Sequence, residues 1–444
     1  MSATGYTAMP AGGLEGLQSL SRADTDEEVT PGDIAVGVII GRSSEYFDFF
    51  VFGIACVLVF PGLLFPGLSL LDGTLASFAI FSLAFIARPL GTVISMAVQR
   101  HWGRGTKLTI AMFLLGTCTV GMAFLPGYER LGVWAIVLFA VLRIGQGLAL
   151  GAAWDGLPSL LAIAAPRERR GWFSMIGQLG APLGFFMAAG LFAYVYAHTT
   201  PEEFLAWGWR YPFFVAFAIN VVALFARLRL VVGQSFSHML NQNELEPVKA
   251  SEVVGAEGSN VVIGAFAALA SFALFHLVTI FPLSYIGLYA EQPVVDVLLV
   301  QMSGAVCAGV AMVVSGWLAD RFGRRNTLGT MAVLICVFSV VGPWLLGNGH
   351  AGNNAFLLIG FILLGLSYGQ ASGTVTANFT PHLRYTGAAL SADMAWLVGA
   401  AFAPLVALGA AAYFGLLGLG MYLLSGGVCT LAALAINRAL EARE

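Results

Sequence analysis

Residues 41–53 read GRSSEYFDFFVFG, an arginine and two acids set into a stretch that is otherwise apolar from Ile34 to Leu63. A charged side chain at the centre of a bilayer costs roughly 2.5–3.5 kcal/mol on insertion scales, so such groups face protein or a wet cavity. Glu45 and Asp48 are three positions apart and therefore share one helix face. About ten residues into the span, at roughly 1.5 Å each, they fall near mid-membrane.

The rest of the chain agrees with a bilayer environment. Of its 444 residues, 58% are hydrophobic and only 10% charged, well beyond the apolar share of a water-soluble fold. Runs of the ~20 apolar residues that cross a ~30 Å hydrocarbon layer recur about twelve times. They begin near Ile34, Ser77, Leu108, Val133, Trp172, Tyr211, Val261, Val297, Thr327, Ala355, Ala388 and Gly415. A net charge of −3 points to no nucleic-acid partner. The sequence carries no phosphate loop ending in GK[ST], no metal-spaced His and Cys cluster and no nucleophile elbow, so neither an enzyme nor a cofactor is expected. The five cysteines lie within apolar runs and read as packing residues.

Orientation follows from the basic residues. With the N-terminus in the cytoplasm, Arg100, Arg104, Lys107, Arg227, Arg321, Arg324, Arg325 and Arg384 fall on the inner side, leaving Arg130 and Arg210 outside. Both termini are then cytoplasmic. Trp207, Trp209 and Trp344 fall at outer span ends, Trp102 and Trp172 at inner ones, where interfacial rings belong. The expected organisation is a polar tail over 1–33, a six-helix bundle over 34–230, a cytoplasmic loop over 231–260, a second bundle over 261–437 and a short tail over 438–444. HWGRGTK at 101–107 and RFGRRNT at 321–327 mark corresponding places in the two halves. Two such halves are the plan of an all-α rocking-bundle transporter.

Further candidates follow from spacing. In RIGQGLALGAAWDG, residues 143–156, Arg143, Gln146, Gly147, Leu150, Gly151 and Trp154 form one helical stripe. Gly147 and Gly151 are a small-xxx-small pair that lets a neighbouring helix approach. Arg143 stays charged, as a partner for Glu45 or Asp48 or as a receptor for an anionic substrate. Asp155 is expected toward the inner mouth. His276 is a lone intramembrane histidine, read as a hydrogen-bonded packing ring or as a substrate contact. Gln178, Tyr285, Gln370, Asn378 and Trp396 could offer a ligand hydrogen bonds or hold helices together. Pro182 should kink the fifth span. Glu45 and Asp48 themselves admit two readings: buried salt bridges to Arg42 or Arg143, or a carboxyl that takes up and releases a proton as a cavity changes sides.

GRSSEYFDFFVFG, with ARPLG at 87–91, RIGQG at 143–147, GWRYPF at 208–213, GWLADRFGRR at 316–325 and RYTG at 384–387, resembles the metabolite:proton symporter branch of the major facilitator superfamily. The resemblance runs over about 34–437 and implies twelve helices in two bundles, a central cavity, alternating access and proton-driven uptake of small metabolites. On that resemblance Glu45 and Asp48 fall on the acidic first-span motif, Arg88 on the second-span motif, and Arg143 with Gln146 on the fourth-span pair. Asp320, Arg321, Gly323, Arg324 and Arg325 match the cytoplasmic gate sequence, of which Arg104 belongs to the first-half copy. That copy departs, with Met96, Arg100 and His101 where glycine, an acid and an arginine are usual, so Arg100 is expected to pair with Asp393 as a latch of exchanged sign. Ala153 replaces a family glutamate, and Arg42 adds a cation to the first span.

These readings converge on a proton-coupled importer of a small polar metabolite in a bacterial inner membrane, working as a monomer on the proton gradient. Glu45 and Asp48 would carry the proton; Arg42 and Arg143 favour an anionic substrate. The alternatives are a proton-driven exporter of the same fold, suggested by Pro182 between Gly180 and Gly184, and a non-transporting sensor.

Overall fold

The computed structural model describes residues 31–154, 156, 161, 165–231, 246–290, 292–371 and 379–437. Residues 1–30 and 438–444 of the tails, Asp155 and Asn378 lie outside the described residues.

Among the described residues, ten segments are long and apolar enough to cross a membrane. One of them, Leu70–Phe124, is two antiparallel helices joined at Gly103, whose φ of 85° is open to glycine. Ahead of them stands α1 (Pro31–Leu58), whose charges beyond Asp33 in its first turn are Arg42, Glu45 and Asp48. The twelve spans are thus α1, α2 (70–102), α3 (104–124), α4 (Val133–Ala152), α5 (Arg170–His198), α6 (Arg210–Val231), α7 (Ala250–Tyr289), α8 (Val294–Phe322), α9 (Arg324–Leu346), α10 (Gly349–Tyr368), α11 (Pro381–Phe414) and α12 (Leu416–Ile436). Gly323, with φ 83°, ends α8 as Gly103 ends α2.

Packing repeats between halves. α1 packs on α5 and α6, α2 on α4, and α3 on α6; correspondingly α7 packs on α11 and α12, α8 on α10, and α9 on α12. The halves meet along α5 with α8, along α2 with α11, and at the centre between α1 and α7. The protein is an all-α membrane protein of two six-helix bundles. Large apolar side chains such as Phe113, Val222, Val310 and Val340 are exposed on the outside, as a lipid-facing surface requires, while polar groups are turned inward.

Three details differ from expectation. The polar interval expected as loop to residue 260 is helical from Ala250, bending at Glu257; Ala, Glu and Ser sustain a helix that hydropathy alone passes over. Trp209 is fully buried, its ring 5.6 Å from Phe213 and 6.2 Å from Phe60, and not interfacial. The break in α5 falls over 177–179, just ahead of Pro182. Pro182 lies in the first turn of the piece Gly180–His198, where its missing N–H has no helical partner to lose. α11 is broken by a wide turn over Trp396–Ala400 that brings Trp396 to the centre of the molecule.

Candidate functional site

The shared face of Glu45 and Asp48 leads to two different environments. Glu45 is clamped between guanidinium groups: its Oε2 accepts from Nη1 of Arg42 at 2.9 Å and its Oε1 from Nη1 of Arg227 at 2.5 Å. Arg227, read from sequence as an inner-loop charge, is instead a buried member of α6 whose Nη2 also donates to the carbonyl of Ala153 at 2.9 Å. Gly41 makes room for it, since a Cβ there would meet the Arg227 side chain.

Asp48 turns the other way, into the first half. Its Oδ1 accepts from Nε2 of Gln146 at 2.9 Å; its Oδ2 accepts from Nδ2 of Asn220 at 2.8 Å and from the Thr119 hydroxyl at 2.5 Å. All three donors are neutral and buried. The Thr119 hydroxyl also lies 2.9 Å from the carbonyl of Leu115, so it has two acceptors for one hydrogen. Ser44 steadies Asn220 by donating to its Oδ1 at 2.6 Å.

Of the two salt-bridge partners expected for the acids, Arg42 pairs with Glu45, whereas Arg143 pairs directly with neither acid. Its Nη1 donates to Oε1 of Gln146 at 3.0 Å and its Nε to the carbonyl of Phe81 at 3.3 Å. Gln146 thus stands between guanidinium and carboxylate, passing the polarity of one to the other. The charge of Arg143 rests over Phe52 and Phe81, 3.9 and 4.9 Å from their centroids, where ring faces stabilise a cation. Its Nη2 has no partner among the described residues.

Between the halves lies a narrow cavity of about 20 Å³, room for about one water molecule. Arg42, Glu45 and Tyr46 of α1, Phe85 and Arg88 of α2, and Trp396 of α11 line it. Glu45 borders this space; Asp48, expected on the same helix face, does not. Tyr46 closes one side through a hydroxyl contact with Tyr368 of α10.

His276 lies behind the aromatic wall, its ring 5.2 Å from those of Phe49 and Phe81 and 5.1 Å from Phe275. Both ring nitrogens lack partners among the described residues, so it is a packing ring without the expected hydrogen bond. Gln178 is buried in the break of α5, whose Gly180 lies against the backbone of Arg42 and Ser43. Tyr285 sits at the far end of α7 in a ladder with Phe281 and Tyr289, not in the cavity lining.

At the end of the molecule holding Gly103 and Gly323 the halves are tied twice. On one seam, Asp320 of α8 accepts from the backbone N–H of Gly171 at 2.6 Å and of Trp172 at 3.2 Å, at the start of α5, a carboxylate placed on the positive end of a helix. Arg324 adds bonds to the carbonyl of Arg170 and the hydroxyl of Ser174. Arg325 binds the carbonyl of Leu434 within the second half, and Arg321 lies over its own helix's Trp317.

On the other seam the expected Arg100–Asp393 latch is not formed. Arg100 donates to the carbonyl of Val248, and Arg104 reaches Glu246 at 3.6 Å. Asp393 instead accepts from Nε of Arg88 at 2.8 Å and from the Thr92 hydroxyl at 2.5 Å. It lies about two and a half helical turns past Arg384, where the regular helix of α11 begins, level with Arg88 rather than with the end of α2. Tyr385 completes the seam, 3.0 Å from both Nζ of Lys107 and Oε1 of Gln99.

Sequence reasoning missed Arg227, Asn220, Thr119 and the Lys107–Tyr385 pair. Asn220 and Arg227 are seven apart on α6, two turns on one face, a spacing that could have matched them to Asp48 and Glu45. Thr119 and Tyr385 carry no such signal.

Residues 131–404 match the family model of the Major Facilitator Superfamily. The chain is 34% identical to the inner membrane metabolite transport protein YhjE of Escherichia coli (strain K12), over 93% of this chain and 96% of that protein. It is 30% identical to the shikimate transporter of the same organism, over 95% of each, and 26% identical to its proline/betaine transporter, over 81% of this chain and 74% of that one. The fold is similar to the crystal structure of a D-xylose-proton symporter, with a TM-score of 0.68 at 17% identity over 91% and 96% of the two chains. With twelve spans, polar clusters at the seam of two bundles and full-length likeness to transporters, this chain belongs to the major facilitator superfamily, in the branch that holds its metabolite transport proteins, and is a membrane transporter rather than an enzyme.

Proposed function

We propose that the protein imports a small, negatively charged polar metabolite together with a proton, across a bacterial inner membrane, with both termini cytoplasmic. The observation that carries the proton step is the shell of Asp48. An ionised Asp48 is held by three neutral donors; a protonated one can donate to Thr119, whose hydroxyl then turns to the carbonyl of Leu115. Either state keeps its hydrogen bonds, which a buried polar group needs. Glu45, held by two guanidinium groups, is its neighbour at the cavity.

Arg42 and Arg88 beside aromatic walls suit an anion with a compact body. Shikimate, proline and betaine, named for the relatives, each carry a carboxylate on such a body. For the exporter alternative, Gly180 and Gly184 meet the backbone of α1 at Arg42, Ser43 and Phe47, so helix packing accounts for those glycines.

The test is uptake into proteoliposomes under an imposed proton gradient. Asp48→Asn should abolish gradient-driven accumulation while leaving substrate exchange without a gradient. Accumulation that survives Asp48→Asn, or uptake indifferent to the gradient, would refute the assignment.

A further inference from the structure

The Nε edge of Arg88 is occupied by Asp393 across the seam of α2 and α11. Its two Nη groups carry no hydrogen bond among the described residues, and neither is walled off from the cavity that Arg88 lines. The guanidinium lies 5.5 Å from the Trp396 centroid, so its plane is fixed from one side by the carboxylate and braced by the ring. A planar guanidinium offers two edges to carboxylates. Here one edge is taken by the protein's own acid and the other borders the cavity.

We propose that the Nη edge of Arg88 is the docking point for a substrate monocarboxylate, and that its occupation loosens the α2–α11 seam. The proposal rests on the transport reading above and names the group that receives the anion. Two carboxylates on one guanidinium share a single positive charge and repel each other across it. A bound acid therefore weakens the hold of Arg88 on Asp393, leaving Asp393 to Thr92 alone. Phe49, Phe85 and Trp396 set the companion requirement, a compact uncharged body against the rings. The same residue thus recognises the charge and reports its arrival to one of the two seams that keep the halves together.

The test uses the purified full chain, with cyclohexanecarboxylate as probe and its neutral amide as control. Wild type should bind the acid more tightly than the amide. Arg88→Gln should lose at least about tenfold in affinity for the acid and none for the amide, the loss expected of a charge-assisted hydrogen bond. Arg88→Lys, which keeps the charge without the planar fork, should fall between. Asp393→Asn should bind the acid several-fold more tightly, because the competing carboxylate is gone. By reciprocity, the probe should speed amide hydrogen exchange over residues 384–395 in wild type and not in Arg88→Gln. Equal binding of acid and amide by wild type, undiminished acid binding by Arg88→Gln, or weakened binding by Asp393→Asn overturns the docking point; unchanged exchange overturns the loosening. None of these results touches the proton reading, which stands or falls on accumulation by Asp48→Asn.

Discussion

Replacing Gly147 by alanine should drive α4 away from α2. The two helices cross with three glycines in main-chain contact: Gly91 against Leu148, Gly147 against Ala84, and Gly151 against Arg88 and Thr92. A Cβ at 147 would overlap the carbonyl oxygen and Cα of Ala84, and backbone cannot rotate aside as a side chain can. To restore ordinary van der Waals contact the helices must part by roughly 1 Å. Overpacking of this kind costs about 1–3 kcal/mol, and a rigid obstacle puts it at the upper end. Alanine returns up to ~1 kcal/mol through its better helix propensity, leaving a net destabilisation of about 2 kcal/mol. The assay is thermal unfolding of the purified protein in detergent, against Gly287→Ala as control, since Gly287 has no atom within 4 Å of its would-be Cβ. Gly147→Ala should unfold several degrees lower and Gly287→Ala at or above wild type. Equal behaviour of the two would refute the close approach. Because Gln146 is the adjacent residue and holds Asp48, gradient-driven accumulation should fall with the first variant and persist with the second.

Two further outcomes are expected. Asp320→Ala removes the acceptor for the N–H groups of Gly171 and Trp172, and should lower stability by about 1 kcal/mol, as loss of a helix N-cap does; unchanged unfolding would show that this tie carries no weight. His276→Phe should raise the unfolding temperature, because two unpartnered buried nitrogens, costing about 1–3 kcal/mol, are replaced by a ring of similar shape in an aromatic nest. A lower temperature would mean that the imidazole has a partner in the working protein.

How much of this was legible depends on the kind of signal. Span number and half-molecule repetition are one-dimensional properties, and hydropathy with the paired glycines at 103 and 323 disclosed them. The stripe through Arg143, Gln146, Gly147 and Gly151 is a property of one helix and was readable from its period. Which side chains meet across helices was not. Glu45 and Asp48 share a face, yet one looks into the cavity and the other into the bundle, because three residues span about 300° of helix, not a full turn. Arg88 pairs with Asp393 in place of Arg100 because contact is decided by height along two helices from different halves, which sequence spacing does not encode. Arg227 was hidden by a charge-counting rule that sorts arginines by loop and has no place for one drawn inward by an acid.

The two seams are built from different materials. Asp320 grips main-chain N–H groups, which every residue but proline supplies, so the tie itself makes no demand on the side chain of Trp172. Of these two donors, Gly171 is the constrained one, since a methyl there would strike Ala319 and Asp320. The seam of Arg88, Asp393, Lys107 and Tyr385 depends on specific side-chain ends meeting at specific heights. One flank of the transporter can therefore drift in sequence while keeping its closure, and the other can change its closure through a single substitution, which makes it the flank on which relatives with different cargo would be expected to diverge.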